Sequence, residues 1–164
     1  MKLIEDHNRL VIGVGNAMRG DDAFGVELVE FLKRECPELA CYLIVQGDIT
    51  KLLDHWVDKD LVIIDTVQTT EGRVGEIHKV LDFRELNNNI SKKHSTHGLN
   101  VVEVFALGQQ LDRLPKSTYF LGVEGANWGM GTPISESLRI VMPEIIDEIV
   151  RYFDSKSKHN LETL

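Results

Sequence analysis

One stretch near the N-terminus constrains the fold most, because an apolar run leads directly into glycines and then into two acids. Residues 10–14 are apolar or glycine, and Gly15 and Gly20 follow in a turn-like segment. Asp21 and Asp22 then open a helical pattern. A buried strand, a glycine-rich turn and a helix start are the plan of a ligand site in α/β proteins.

Apolar strands alternate with helical segments through the first part of the chain. Nearly continuous apolar runs are typical of parallel strands that are covered on both faces. A β-α-β-α-β order implies parallel strands joined by right-handed crossovers. The predicted strands are 10–14, 41–45 and 61–64, and the predicted helices are 22–35 and 49–56.

The pattern changes after the third strand. A short turn at Glu71 and Gly72 leads to an apolar segment at 74–80, which predicts a hairpin and an antiparallel strand. The remaining predicted segments are a polar loop at 86–93, a helix at 97–110, a strand at 119–123, a glycine-rich loop at 124–133, a helix at 134–152 and a frayed polar tail from 154. We therefore predict a three-layer α/β/α domain over residues 1–154, with a tail at 155–164. Its twisted five-stranded sheet is mostly parallel, with one antiparallel strand.

Composition excludes several function classes. The net charge of −8 over 164 residues disfavours nucleic acid as a partner, since duplex binding needs a basic face. No apolar run approaches the ~20 residues of a membrane span, and residues 1–9 do not have the pattern of a signal peptide. Cys36 and Cys41 form neither a disulfide framework nor a zinc-cysteine pattern, so we interpret both as structural thiols. We expect a cytoplasmic monomer.

Three side chains are candidate ligands at the carboxyl edge of the predicted sheet. Asp22 follows the first strand, Asp65 ends the third, and His97 stands at the entry to a helix. Two carboxylates and one imidazole suit a divalent transition metal with open positions. The alternatives are structural: Asp21 or Asp22 caps a helix, Asp65 accepts turn amides, and His97 is a hydrogen-bonded structural histidine.

A nucleotide-binding protein is the alternative that the glycines raise. Gly13 and Gly15 begin a dinucleotide fingerprint, but Met18 stands where the third glycine belongs, and no Gly-Lys-Ser/Thr follows. Asp21 and Asp22 would repel a pyrophosphate at that helix start.

The residues also resemble a known family. The segment from Gly13 to Val26 resembles the opening motif of the [NiFe]-hydrogenase maturation endopeptidases. The likeness continues at 47–48, at 62–67, at 95–99, and at 121–124 with the glycine-rich loop after it, so it spans about residues 10–150.

The resemblance implies a function and assigns roles. These enzymes remove a C-terminal extension from the hydrogenase large-subunit precursor after nickel insertion. Asp22, Asp65 and His97 match the family's metal-contacting and catalytic residues. The nickel is thought to come from the substrate, and cadmium or zinc is expected to replace it in crystals. A non-proteolytic nickel-dependent maturation chaperone is the other hypothesis for the same site.

Further residues are expected to lie around the site of the three candidate ligands. Gly15 and Asn16 are expected to offer amides to the substrate, and Asp48 to line the cleft. His94 is either a partner of His97 or a solvated loop residue. The loop at 124–133 is either a peptide-binding lid or a segment whose Trp128 and Met130 pack on the core.

Overall fold

The computed structural model describes residues 8–82 and 101–163. Two short 3-10 turns, Gly20–Ala23 and Ile49–Lys51, lead into the first two helices. In chain order the elements are β1 (Arg9–Val14), α1 (Phe24–Glu35), β2 (Cys41–Val45), α2 (Leu52–His55), β3 (Asp60–Val67), β4 (Ile77–Val80), α3 (Val101–Leu111), β5 (Ser117–Glu124) and α4 (Glu136–Glu162).

The five strands form one sheet in the order β2-β1-β3-β5-β4. The first three pairings are parallel, and β4 is antiparallel to β5. The predicted sheet is therefore confirmed, including its single antiparallel strand. The predicted hairpin is wrong, because β4 pairs with β5 on the outer edge, and β5 lies between β4 and β3.

Helices cover both faces of the sheet. One buried cluster joins α1 and α4 to the sheet through side chains such as Phe24, Val62 and Leu121. The other joins α2 and α3 to the opposite face, with Trp56 and Val104 at its centre. Alternate residues of β3 divide between these clusters, as the two-residue period of a strand requires. The three-layer α/β/α architecture is confirmed.

The backbones of α1 and β1 lie in direct contact at Gly13 and Gly25. A Cβ on Gly13 would overlap the carbonyl oxygen of Gly25. A Cβ on Gly25 would lie 2.8 Å from the carbonyl oxygens of both Val14 and Ile64. Only glycine allows the two backbones to come this close. The contact places the start of α1 against the carboxyl ends of β1 and β3.

Asp21 connects this turn to a segment far along the sequence. Its carboxylate accepts hydrogen bonds from the amides of Ala126 (2.8 Å), Asn127 (3.0 Å) and Ser135 (2.6 Å), and from the Ser135 hydroxyl (2.8 Å). Burial opposes its ionisation, but these bonds outweigh burial and hold the pKa of Asp21 below its ordinary value. Asp21 thus fixes the loop before α4 against the start of α1.

Several boundaries differ from the sequence prediction. The predicted helix 22–35 begins as a 3-10 turn, and neither Asp21 nor Asp22 caps it through its side chain. The frayed tail predicted from residue 154 is wrong, because α4 continues to Glu162. The apolar face of α4 packs on the core at least as far as Phe153, which is fully buried. None of the helices in the described ranges combines the length and apolar composition that a bilayer crossing requires.

The Gly13 contact predicts a large effect of adding one methyl group. Gly13→Ala should lower the free energy of unfolding by about 3 kcal/mol, because the clash is with the backbone of α1, which has no rotamer to change. Urea unfolding measures the loss. Gly47→Ala is the control: its φ is 93°, and no atom lies within 4 Å of the added Cβ. It should cost about 1 kcal/mol from backbone strain alone. Equal losses in the two variants would contradict a steric role for Gly13.

Asp21→Asn should destabilise the fold by about 2 kcal/mol at pH 7, the usual value for hydrogen bonds to a charged group. Because the folded pKa of Asp21 is lowered, its contribution is present above the unfolded pKa of about 4 and is lost as the pH falls through the folded value. The free energy of unfolding, measured with urea, should therefore differ less between wild type and variant below pH 4 than at pH 7. Asp112→Asn is the control, because Asp112 is exposed and has a φ of 55°, a conformation that asparagine also adopts. A pH-independent difference would contradict the role given to the Asp21 charge.

Candidate functional site

Asp22 lies at the carboxyl edge of the sheet with its side chain directed at β3. The residue is 4% exposed. The Thr66 hydroxyl donates to Asp22 Oδ1 at 3.3 Å, and the Asn16 amide donates to the Asp22 carbonyl at 3.0 Å. The turn after β1 therefore wraps around Asp22 and fixes its carboxylate beside a neighbouring strand.

Asp65 lies within β3, which continues through Val67, so the strand is longer than the predicted apolar run 61–64. The strand extends because Thr66 and Val67 are both buried and pair with β5. Asp65 is 7% exposed and adjoins Thr66, the residue that contacts Asp22. The structure thus brings Asp22, in the turn that follows β1, to the residue next to Asp65 on the adjacent strand β3.

The side chains of β3 alternate between the two helical layers. Thr66 is directed at Asp22, next to α1, so Asp65 belongs to the alternate face. Leu61 and Ile63 on that face pack in the cluster that contains Val101 and Val104 of α3. Asp65 is therefore on the side of the sheet that α3 covers.

The third predicted ligand, His97, lies outside the described residues, as does His94. In the part of the protein that the structure describes, no group of three or more His, Cys, Asp and Glu side chains is placed to hold a metal ion. The described part of α3 begins four positions after His97, at the buried Val101.

Two roles assigned from the sequence are corrected by the geometry, while the role of Asp48 in the cleft stays a prediction. The Gly15 amide donates to the Val45 carbonyl at 3.2 Å, and the Asn16 amide is bonded to Asp22, so both serve the fold rather than a substrate. Asp48 is exposed and caps the turn before α2 by accepting from the Thr50 hydroxyl at 2.6 Å and from the Thr50 amide at 3.0 Å. These hydrogen bonds to Asp48 lower its pKa.

Glu124 is a buried acidic residue that the sequence did not single out as a site residue. It ends β5, is 2% exposed, and accepts from the Thr69 amide at 3.1 Å and from the Thr69 hydroxyl. His78 Nε2 of β4 lies 3.0 Å from Glu124 Oε1. Glu124 therefore joins the turn that leaves β3 to the edge strand. The sequence does contain a signal for Glu124, which is its position. It directly follows the apolar run 119–123, as Asp65 directly follows the run 61–64.

In the glycine-rich loop, Trp128 is packed inward and Met130 is not. Trp128 is half-buried, and its ring lies against Gly125, where an added Cβ would be 3.1 Å from Trp128 Cη2. Met130 is 68% exposed, as is Met18 at 61% in the facing turn. The Gly131 amide donates to the Met18 carbonyl at 2.8 Å and joins these two segments.

Known proteins share this architecture. The protein is similar to the HybD hydrogenase maturating endopeptidase of Escherichia coli, with a TM-score of 0.75, 21% identity, and coverage of 91% of this chain and 93% of that one. It is also similar to the HycI [NiFe]-hydrogenase maturation protease of Thermococcus kodakarensis KOD1, with a TM-score of 0.62, 25% identity, and coverage of 92% and 99%.

A relative is also found by sequence. The hydrogenase expression/formation protein HupD of Thiocapsa roseopersicina is 28% identical over 121 residues, which are 73% of this chain and 55% of HupD. The chain thus spans about half the length of that curated relative. The hydrogenase maturation protease family, HycI, matches residues 26–152, a segment that contains Asp65 and His97, and that begins just after the motif around Asp22. Since this match covers most of the sequence, the protein belongs to the hydrogenase maturation protease family.

Proposed function

We propose that the protein is an endopeptidase that removes the C-terminal extension from a [NiFe]-hydrogenase large-subunit precursor after nickel insertion. Family membership supports the reaction class. The observation that carries the assignment to this edge of the sheet is the Thr66–Asp22 hydrogen bond, which fixes one acid of the opening motif beside the strand that holds Asp65. Ligands of open α/β sheets gather at this edge.

In this proposal Asp22, Asp65 and His97 contact the nickel that the substrate carries. Carboxylate and imidazole donors suit a divalent ion of this kind, and three protein donors leave positions for the groups of the substrate. His97 precedes the buried Val101 by four residues in the sequence. Val101 packs on the face of the sheet to which Asp65 belongs. This placement supports a shared site.

The residues around the nickel contacts have a positioning role. The Thr66 hydroxyl orients the Asp22 carboxylate, and the Asn16 amide holds its backbone. The Asp21 network fixes the adjoining loop, so the site rests on rigid elements rather than on free turns. The proposed partner is the large-subunit precursor. We expect the protein to bind neither nucleic acid nor a membrane. We expect the protein to act as a cytoplasmic monomer.

Incubation with nickel-loaded precursor should reduce the intact mass of that precursor by the mass of its C-terminal peptide. Precursor without nickel should stay uncut, because the ion that the three side chains recognise is missing. Asp22→Asn and His97→Ala should each abolish processing while leaving the urea unfolding transition in place. Intact-mass spectrometry over time measures the product.

Asp112→Asn is the matched control, because it changes an exposed acid directly after the last residue of α3, and it should process at the wild-type rate. Binding of nickel-loaded precursor without loss of mass would overturn the protease and favour the chaperone. Normal processing by His97→Ala would remove that residue from the site.

A further inference from the structure

Two buried polar atoms near the acidic turn have no hydrogen-bond partner among the residues described. They are the side-chain oxygen of Gln68 and the indole nitrogen of Trp128. The other tryptophan of the protein, Trp56, donates its indole N–H to the Arg113 carbonyl at 2.8 Å. Folded proteins rarely leave such groups unmatched, because a buried polar group without a partner keeps its desolvation cost.

Both atoms belong to the same part of the molecule. Gln68 directly follows β3, and the Gly125 amide donates to the carbonyl of its neighbour Val67 at 3.0 Å. The Trp128 ring lies on the same Gly125, where an added Cβ would also be 3.0 Å from the Cβ of Asp21. Gln68 and Trp128 therefore adjoin one short stretch of backbone beside the acidic turn.

The chemistry of the two atoms is complementary to a peptide. The Gln68 oxygen only accepts a hydrogen bond, and the indole nitrogen only donates one. The amide N–H and the carbonyl oxygen of a peptide backbone supply the matching groups. Neither atom carries charge, so the pair does not select for an ion. Met18 and Met130, both largely exposed, flank this place with adaptable apolar surface for peptide side chains.

We propose that Gln68 Oε1 and Trp128 Nε1 bind backbone groups of an extended substrate peptide beside Asp22. The identity of that peptide, the C-terminal segment of the large-subunit precursor, rests on the proposed function above. The two contacts hold the peptide backbone, so they position the segment without reading its sequence.

The glycine-rich loop is held at its base and has open space at its tip. Its base is held by the bonds from Ala126, Asn127 and Ser135 to Asp21. Its tip lies between Gly125 and Gly131, and Gly131 has a φ of 72° with open space around it. Because the indole nitrogen is buried, binding of the peptide requires the tip to shift while the base stays fixed.

The test compares the two tryptophans. Trp128→Phe keeps a ring but removes the unmatched N–H, so the Tm should stay unchanged or rise, while KM for nickel-loaded precursor rises about tenfold. Gln68→Met, which keeps the length and removes the oxygen, should behave in the same way. Trp56→Phe is the matched control: it removes an N–H that the fold uses, so its Tm should fall and its KM should not change.

A binding measurement separates this inference from the proposed function. In a ¹⁵N spectrum the two tryptophans give two indole signals, which the two Phe variants assign. A synthetic peptide that spans the precursor's C-terminal cleavage region should shift the Trp128 signal and leave the Trp56 signal in place, whether or not cleavage follows. An unmoved Trp128 signal would overturn the inference, as would unchanged KM in both variants. A Tm loss in Trp128→Phe equal to that in Trp56→Phe would make the residue structural and would also overturn it.

Discussion

The contact between Gly13 and Gly25 is the constraint on which the rest of the site depends. Backbone lies on backbone there, and Gly25 sits against carbonyl oxygens of both β1 and β3. The distance between α1 and the sheet is therefore set by the backbone rather than by side chains. The residues that precede α1 have little freedom as a result, and the two acids are placed where the central strands end.

The two adjacent acids then have different tasks. Asp21 is fully buried, and its side-chain hydrogen bonds all reach to the loop before α4, so its charge is used within the fold. Asp22 faces β3 through Thr66. A pair of negative charges at a helix start is unfavourable for a phosphate.

Local patterns were sufficient to predict the sheet and its layers, and to place Asp22 after the first strand and Asp65 in the third. They failed where a partner lies far along the sequence. The Asp21 carboxylate could be read as a cap, since nothing near it in sequence indicates Ala126 or Ser135. The four-residue strand β4 has too little pattern to show that it pairs with β5. Glu124 and Thr69 form a buried pair that only folding brings together.

The place of β5 in the sheet has a consequence for synthesis. Its two neighbours, β3 and β4, both precede it in the sequence. The β3-β5-β4 part of the sheet can therefore form only after residues 117–124 have been synthesised. The loop that meets Asp21 comes later still. While the polypeptide is still emerging from the ribosome, the acidic turn thus exists without its surroundings. The order of the strands makes the site one of the last parts of the molecule to be completed.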